Sequence, residues 1–297
     1  MLPVLATALG AAGVTYLGAK YFTPWVFEDI KMIKKFKFSL DQYYKCAKEN
    51  RFLIDIFESM VLKHPDKVIL RYEDESYTFR QINDRANQCA HAFLSQGVKP
   101  GDVLAIMMQN EPQFVWTYLG FLKIGVQLGF INFNQRHKTL VHSIKSCEAQ
   151  YLIVGADPEL ENAVMEIQDE IGNVKIYTYT STQTIPKSTP LVPILEKSEL
   201  SPVEISYRSG IKLTDASVFI FTSGTTGLPK AAIVTHDKAI KGCFAMWSCN
   251  LTSEDVLYEP LPMYHSAAAL IGVGNMITLG EYLAKVFDMY MIHHFPC

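Results

Sequence analysis

The chain has 297 residues, enough for one large or two medium domains, and its 49% hydrophobic residues suffice for a packed core. A formal net charge of −3, with basic and acidic residues interspersed, argues against a general nucleic-acid surface. The six cysteines show no Cys-x-x-Cys pair and no zinc-ligand spacing, which indicates reduced, buried thiols of a cytosolic domain and no metal site.

The first 19 residues carry no charged side chain, and the apolar character continues past Lys20 to Phe27. Because about 20 apolar residues span a bilayer, we predict a transmembrane anchor over residues 1–27. The basic residues that follow are Lys20, Lys31, Lys34, Lys35 and Lys37. The positive-inside rule then keeps the downstream chain in the cytosol. A cleaved signal peptide is the alternative, although such peptides begin with a basic region that this chain lacks.

A membrane-proximal linker helix is predicted over residues 28–54. Residues 27–38 mix apolar side chains with lysines, a composition typical of a helix that lies on a membrane surface. A charged linker helix in water has the same composition, and the sequence favours neither interpretation.

Helix and strand patterns alternate from about residue 55. Thr78 is the predicted N-cap of one helix and Pro112 opens the next. Strands are predicted at residues 103–108, 127–132, 151–154, 218–221 and 231–235. This alternation predicts an α/β fold, with a mostly parallel sheet covered by helices and ligands near the carboxyl ends of its strands. Residues 180–209 lack periodicity, which predicts a surface connection or a subdomain boundary.

Residues 219–230, FIFTSGTTGLPK, pass from an apolar strand into hydroxyl residues and glycines and end in a lysine. Glycines let the backbone adopt positive φ, while hydroxyl and amide groups donate to phosphate oxygens. The predicted phosphate-binding residues are Thr222, Ser223, Gly224, Thr225, Thr226, Gly227 and Lys230. The spacing differs from a Walker A loop, and a strand pattern follows where that loop has a helix. A simple Gly/Ser/Thr turn is the alternative. The segment resembles the AMP-binding motif of adenylate-forming enzymes.

Residues 261–269, LPMYHSAAA, form a second candidate segment, in which a turn carries an aromatic residue and a histidine into a small-residue helix start. It resembles the next motif of the same superfamily, which lies beside the acyl pocket. The resemblance implies that His265 is the catalytic residue and gates the carboxylate site, with Tyr264, His265 and Ser266 in the substrate pocket. Taken alone, a Tyr-His pair before an apolar helix indicates a packed N-cap region.

The anchor, residues 110–112 (NEP) and residues 130–134 (FINFN) together make the chain similar to the fatty acid transport protein branch, the very-long-chain acyl-CoA synthetases. The resemblance implies that residues 55–280 form a partial AMP-binding (adenylation) domain of a two-step ligase. A long-chain or very-long-chain fatty acid would react with ATP and Mg²⁺ to form an acyl-adenylate, and coenzyme A would then displace AMP. Lys230 and the loop donors would stabilise the leaving pyrophosphate.

The same resemblance implies the partners and location of the protein. The bilayer would be one partner, with activation coupled to fatty acid uptake, and a second copy or a full-length synthetase another. The endoplasmic reticulum, plasma membrane and peroxisome are the implied locations.

Residues 281–297 depart from the family pattern and are predicted to form a divergent tail. The family's adenine-binding and ribose-binding segments, its hinge and its C-terminal domain do not follow, so we expect a truncated form with little ligase activity alone. The alternative function is a non-catalytic, membrane-anchored lipid-binding or regulatory partner of a full-length synthetase. The anchor argues against a peptide-synthetase adenylation unit.

Overall fold

A computed structural model describes residues 20–222, 227–244, 255–283 and 288–291. Its α-helices are α1 (Pro24–Lys48), α2 (Leu53–Lys63), α3 (Phe79–Ser95), α4 (Pro112–Lys123), α5 (His137–Ser146), α6 (Pro158–Ile167), α7 (Val192–Glu196), α8 (His236–Cys243) and α9 (Gly274–Leu283). Its strands are β1 (Val68–Tyr72), β2 (Glu75–Thr78), β3 (Val103–Met107), β4 (Gln127–Phe130), β5 (Tyr151–Val154), β6 (Lys175–Thr178), β7 (Ser188–Pro190), β8 (Ala216–Thr222), β9 (Lys230–Thr235), β10 (Val256–Glu259) and β11 (Asp288–Met291).

The main sheet has seven strands in the order β7-β6-β5-β3-β4-β8-β9. Its strands run parallel to their neighbours, except that β9 is antiparallel to β8. The prediction of an α/β fold with a mostly parallel sheet is therefore confirmed.

Helices cover both faces of this sheet. Successive residues of β3 point to opposite faces, so Leu104 packs in the same cluster as Phe93 of α3 and Phe121 of α4. Ala105 belongs to a second cluster with residues of α5 and α6. The strand is buried along its whole length, as expected when both faces of a parallel sheet are covered.

The helix starts follow the local sequence signals. The Thr78 hydroxyl accepts a hydrogen bond from the Gln81 amide at 3.2 Å, and the Thr78 amide donates to Gln81 Oε1 at 2.8 Å. This capping box provides acceptors for two backbone N–H groups at the start of α3, those of Thr78 and Gln81. Pro112 occupies the first turn of α4, where its missing N–H costs no helical hydrogen bond.

A second sheet, in the order β10-β11-β1-β2, was not predicted. β1 and β2 form an antiparallel hairpin, while β11 pairs in parallel with both β1 and β10. β11 lies within the predicted divergent tail, and its partners are distant in sequence. Such pairing depends on tertiary structure and leaves no local signal.

The segment of residues 180–209, predicted to be a surface connection or a subdomain boundary, also contains regular secondary structure. β7, α7 and a 3₁₀ turn at Ile205–Arg208 lie within it. β7 ends at Pro190 and lies at the edge of the main sheet, where a residue without an N–H is tolerated. These elements are three to five residues long, too short for a periodic pattern.

No helix in residues 20–222, 227–244, 255–283 or 288–291 is both long and apolar enough to cross a membrane. Residues 1–19, most of the predicted anchor, lie outside the described residues. α1 is one continuous helix through residues 27 and 28, where the anchor was predicted to meet the linker.

Candidate functional site

An open cleft of about 650 Å³ lies at the carboxyl ends of β4 and β8. These strands are parallel neighbours, with Leu128 opposite Val218 and Phe130 opposite Ile220, so the segments that follow them emerge at the same edge. The cleft is lined by Asn132, Asn134, Gln135, Thr139, Ile220, Phe221, Thr222, Gly227, Pro229, His265 and Ser266. It therefore joins the two segments that the sequence singled out.

The ends of the predicted phosphate loop both reach this cleft. Thr222 ends β8, and Gly227 adopts φ of +84°. A Cβ at Gly227 would meet no heavy atom within 4 Å, so the left-handed conformation itself favours glycine there. Ser223, Gly224, Thr225 and Thr226 lie outside the described residues.

Lys230 is the exposed first residue of β9 and lies opposite Thr222 in the antiparallel pair. Its backbone is thus fixed beside the end of β8. It is not among the described residues that line the cleft, and its predicted role stays a prediction.

His142 of α5 supports the end of the loop. Its Nε2 lies 2.9 Å from the carbonyl oxygen of Pro229. A carbonyl oxygen only accepts, so Nε2 carries the proton and donates. His142 was not predicted, because nothing local to α5 indicates a contact 87 positions away.

His265 and Ser266 line the cleft and are exposed, whereas Tyr264 is 6% exposed and packs behind them. The Tyr264 ring lies 5.1 Å from the Phe133 ring and 4.4 Å from the His265 ring, measured between centroids. Burial raises the pKa of the Tyr264 hydroxyl, and a hydrogen bond with the Asn134 side chain partly offsets this rise. Tyr264 thus orients its neighbour and does not line the cleft.

A π-helix follows at Ala267–Val273, where the sequence predicted an ordinary helix start. π-helical turns are rare and are found mostly near functional sites. Gly272 packs closely against Glu259, because an added Cβ would overlap Glu259 Oε2 unless that side chain moved. Glu259 Oε1 in turn accepts from the Leu261 amide at 2.9 Å, so the turn before His265 is tied to the helix after it.

Asn110 holds this same turn from the other side. Its Nδ2 donates to the Leu261 carbonyl oxygen at 3.0 Å, and its Oδ1 accepts from the Met263 amide at 2.8 Å. The side chain is 5% exposed and follows β3. We call this pair of hydrogen bonds the Asn110 clamp. It was missed as a site feature, although residues 110–112 were noted for their resemblance to the family.

Four further polar residues of the cleft were also missed: Asn132, Asn134, Gln135 and Thr139. A usable signal existed, since they follow a predicted buried strand whose carboxyl end was expected to face ligand. Their amide and hydroxyl groups are donors for phosphate oxygens.

The described lining contains no carboxylate, and the described part of the chain has no group of three or more His, Cys, Asp or Glu residues that could hold a metal ion. The donor set fits a polyphosphate better than a protein-held cation. No chemical step is therefore assigned to a metal held by these residues.

The model of the family named AMP-binding enzyme matches residues 57–284. The chain belongs to this family. It is 32% identical over 289 residues to long-chain fatty acid transport protein 2 of Rattus norvegicus, a match that covers 96% of this chain and 46% of the rat protein. It is 32% identical to the medium/long-chain-fatty-acid–CoA ligase FadD6 of Mycobacterium tuberculosis, over 77% of this chain and 37% of that protein. These matches confirm the family resemblance read from the sequence.

The fold is also found among solved structures. That of the anthranilate CoA ligase AuaEII in complex with anthranoyl-AMP superposes with a TM-score of 0.68 at 20% identity, over 80% of this chain and 45% of that one. The chain spans about half the length of the curated fatty acid transport proteins that it matches.

Proposed function

We propose that this chain supplies the phosphate-binding and carboxylate-binding part of an AMP-forming fatty acid CoA ligase of the fatty acid transport protein type. One observation carries the proposal. The ends of the glycine-rich loop, Thr222 and Gly227, share a cleft with His265 and Ser266 at the carboxyl edge of a parallel sheet. Ligands of open α/β folds bind at that edge.

The proposed reaction has two steps. An oxygen of the fatty carboxylate attacks the α-phosphorus of ATP, and the bond from that phosphorus to the bridging oxygen breaks as pyrophosphate leaves. The coenzyme A thiolate then attacks the acyl carbonyl, and AMP leaves. Neither step needs a protein nucleophile, because phosphoryl transfer depends on positioning and charge stabilisation. Lys230, near the end of β8, would neutralise charge on the leaving group.

The proposed substrates are long-chain or very-long-chain fatty acids, ATP and coenzyme A, with Mg²⁺ entering as the partner of ATP. The names of the relatives support the fatty acid. A membrane location with the domain in the cytosol, at the endoplasmic reticulum, plasma membrane or peroxisome, is part of the same proposal. The support is the uncharged stretch of residues 1–19.

We expect this chain alone to have little activity, because it spans 46% of the rat relative. The test is fatty-acid-dependent pyrophosphate release from ATP and Mg²⁺. It compares the chain with a version extended by the C-terminal half of the rat fatty acid transport protein.

Activity in the extended version alone is the expected result. Normal turnover by the shorter chain would contradict the expectation of low activity. Release in neither version, with both folded by circular dichroism, would overturn the ligase proposal and favour a non-catalytic lipid-binding or regulatory partner of a full-length synthetase.

A further inference from the structure

α1 carries an apolar stripe that is buried at one end and exposed at the other. The stripe consists of Trp25, Met32, Ile33, Phe36, Tyr43 and Cys46. From Trp25 through Met32, Phe36 and Tyr43 to Cys46 the intervals are seven, four, seven and three residues, and Ile33 lies three before Phe36, which places all six on one side of the helix. Tyr43 and Cys46 are 7% and 0% exposed, whereas Trp25, Ile33 and Phe36 are 60%, 62% and 57% exposed.

The buried end is fixed to the AMP-binding domain by polar contacts with α8. The Tyr43 hydroxyl donates to Asp237 Oδ1 at 2.5 Å, and the Ser39 hydroxyl donates to the Phe244 carbonyl oxygen at 3.0 Å. Lys241 Nζ binds the other Asp237 oxygen at 2.8 Å and lies 4.8 Å from the centroid of the Tyr43 ring. The helix therefore projects from the domain in a defined direction, with the rest of its stripe uncovered by the described residues.

Lysines lie opposite the stripe and along its flanks. Lys34 lies roughly half a turn around the helix from Trp25 and Phe36, and Lys31, Lys35 and Lys37 lie at about 80–140° from these two residues. Residues 20–38 contain five lysines and two acidic residues, and the 19 residues before them carry no charge. Such an arrangement of an aromatic apolar face, a basic face and an adjoining apolar segment matches the charge and polarity of an anionic lipid surface.

We propose that the exposed half of α1, residues 24–36, lies on an anionic lipid bilayer with the stripe in the boundary between headgroups and acyl chains. The lysines contact lipid phosphates from the level of the headgroups. The domain, fixed to α1 through Tyr43 and Ser39, is thereby held against the membrane in one orientation. A membrane anchor alone, joined through a mobile linker, would leave that orientation free.

Asp29 argues against a second copy of the chain as the occupant of the stripe. It lies within the stripe, four residues after Trp25, and is exposed. A seam between two helices would bury this carboxylate without a partner in each copy, at a large cost. At a lipid surface the same carboxylate stays hydrated at the level of the headgroups.

The test uses nitroxide labels on the full chain bound to phosphatidylcholine vesicles with and without phosphatidylserine. Labels at Ile33→Cys and Phe36→Cys report on the stripe, and Lys34→Cys is the matched control on the opposite side. Cys46, Cys89, Cys147 and Cys243 are buried, and Cys249→Ser and Cys297→Ser are introduced in every variant. Accessibility to oxygen, which concentrates in lipid, is compared with accessibility to a water-soluble nickel chelate.

The proposal expects the two stripe labels to become accessible to oxygen and protected from nickel on anionic vesicles, while the Lys34 label stays in water. If all three labels remain in water on the vesicles, the proposal is overturned. It is equally overturned if the stripe labels are protected without vesicles, because another protein segment or a second copy then covers the stripe.

The basic side is tested by a fourfold variant, Lys31→Gln, Lys34→Gln, Lys35→Gln and Lys37→Gln. Its Ile33 label should be no more lipid-exposed on anionic vesicles than on neutral ones. The matched control replaces four exposed lysines of the domain, Lys99, Lys145, Lys197 and Lys212, and should keep the full effect of anionic lipid. An unchanged fourfold variant would contradict the assigned charge contact. None of these readings depends on ligase activity, so their failure and that of the proposed function are distinguishable.

Discussion

Glu111 immediately precedes α4 and is largely enclosed by its neighbours. A Cβ on Gly155 would lie 3.3 Å from Glu111 Oε1, a close contact that glycine avoids. Burial raises the pKa of Glu111 to about 7, and the nearby Asp157 charge adds to the rise. The folded protein therefore holds this proton more tightly than the unfolded chain does.

The first prediction concerns the pH dependence of stability at this residue. The contribution of Glu111 to the stability of the fold is fully present below its ordinary pKa and is lost as the pH rises through about 7. Glu111→Gln, which keeps the neutral form, should therefore stabilise the fold at pH 8 by on the order of 2 kcal/mol and lose that advantage near pH 5. Urea unfolding at both pH values measures the difference.

The exposed Glu170→Gln is the matched control and should show no such pH dependence. His236 gives stability the opposite dependence on pH. Burial lowers its pKa to about 4, so its protonation at low pH destabilises the fold. Each variant is therefore compared with the unsubstituted chain at the same pH. Equal effects of Glu111→Gln at pH 5 and pH 8 would contradict the raised pKa.

A second prediction concerns Lys230, which lies on the exposed start of β9. In the version extended by the C-terminal half of the rat relative, Lys230→Ala should slow pyrophosphate release roughly tenfold to a hundredfold, because a charged donor to phosphate is lost. The melting temperature should not change. Lys238→Ala removes a nearby exposed lysine of α8 and should leave both quantities unaltered. Full activity of Lys230→Ala would show that the phosphates bind elsewhere.

At the scale of elements, the Asn110 clamp joins the end of β3 to the turn between β10 and the π-helix. The two contacts use different atoms of one side chain, so they can be separated by substitution. Asn110→Asp keeps an acceptor for the Met263 amide but loses the donor to Leu261. Asn110→Ala loses both, and leaves a buried amide unpaired at a cost of about 1–3 kcal/mol.

The third prediction follows from that separation. Hydrogen exchange of the Met263 amide should accelerate strongly in Asn110→Ala and much less in Asn110→Asp, which serves as its control. Amides of β5, in the main sheet, should exchange at unchanged rates in both variants, because the clamp does not contact them. Equal acceleration by the two substitutions would indicate that the acceptor contact does not hold the turn.

At the scale of the whole molecule, a buried ionic cluster joins segments that are 65 to 153 residues apart in sequence. Glu58 of α2 accepts from Lys123 Nζ at 2.5 Å and from Arg208 Nη2 at 2.5 Å, and Arg208 also donates to Asp55 at 3.1 Å. The side chains of Lys123 and Arg208 are 2% and 5% exposed. Burial lowers the pKa of Lys123, and the Glu58 charge opposes this effect.

The fourth prediction is that Glu58→Ala destabilises the fold by about 3–5 kcal/mol, because two buried cations lose their shared carboxylate. The measurement is the free energy of unfolding in urea. Asp169→Ala breaks an ion pair with Lys187 in which both side chains are largely exposed, and should change stability by less than about 1 kcal/mol. Similar effects of the two substitutions would mean that the buried cluster adds little to stability.

Several features were determined by the sequence itself, because the physics behind them is local. The capping box at Thr78, the proline start of α4 and the alternation of helices and strands depend on residues within a few positions of one another. The glycine-rich loop and the Tyr264–His265 turn were visible for the same reason. Their residue types alone indicated a phosphate site and a family.

Only the tertiary structure decided which of those residues share a cleft and what supports them. The Asn110 clamp, the His142 contact and the pairing of β11 with β1 join positions from 87 to more than 200 residues apart, and no local pattern encodes such contacts. The division of α1 into a buried and an exposed half has the same origin. One periodic stripe runs along the helix, and it is buried only where the helix packs against α8.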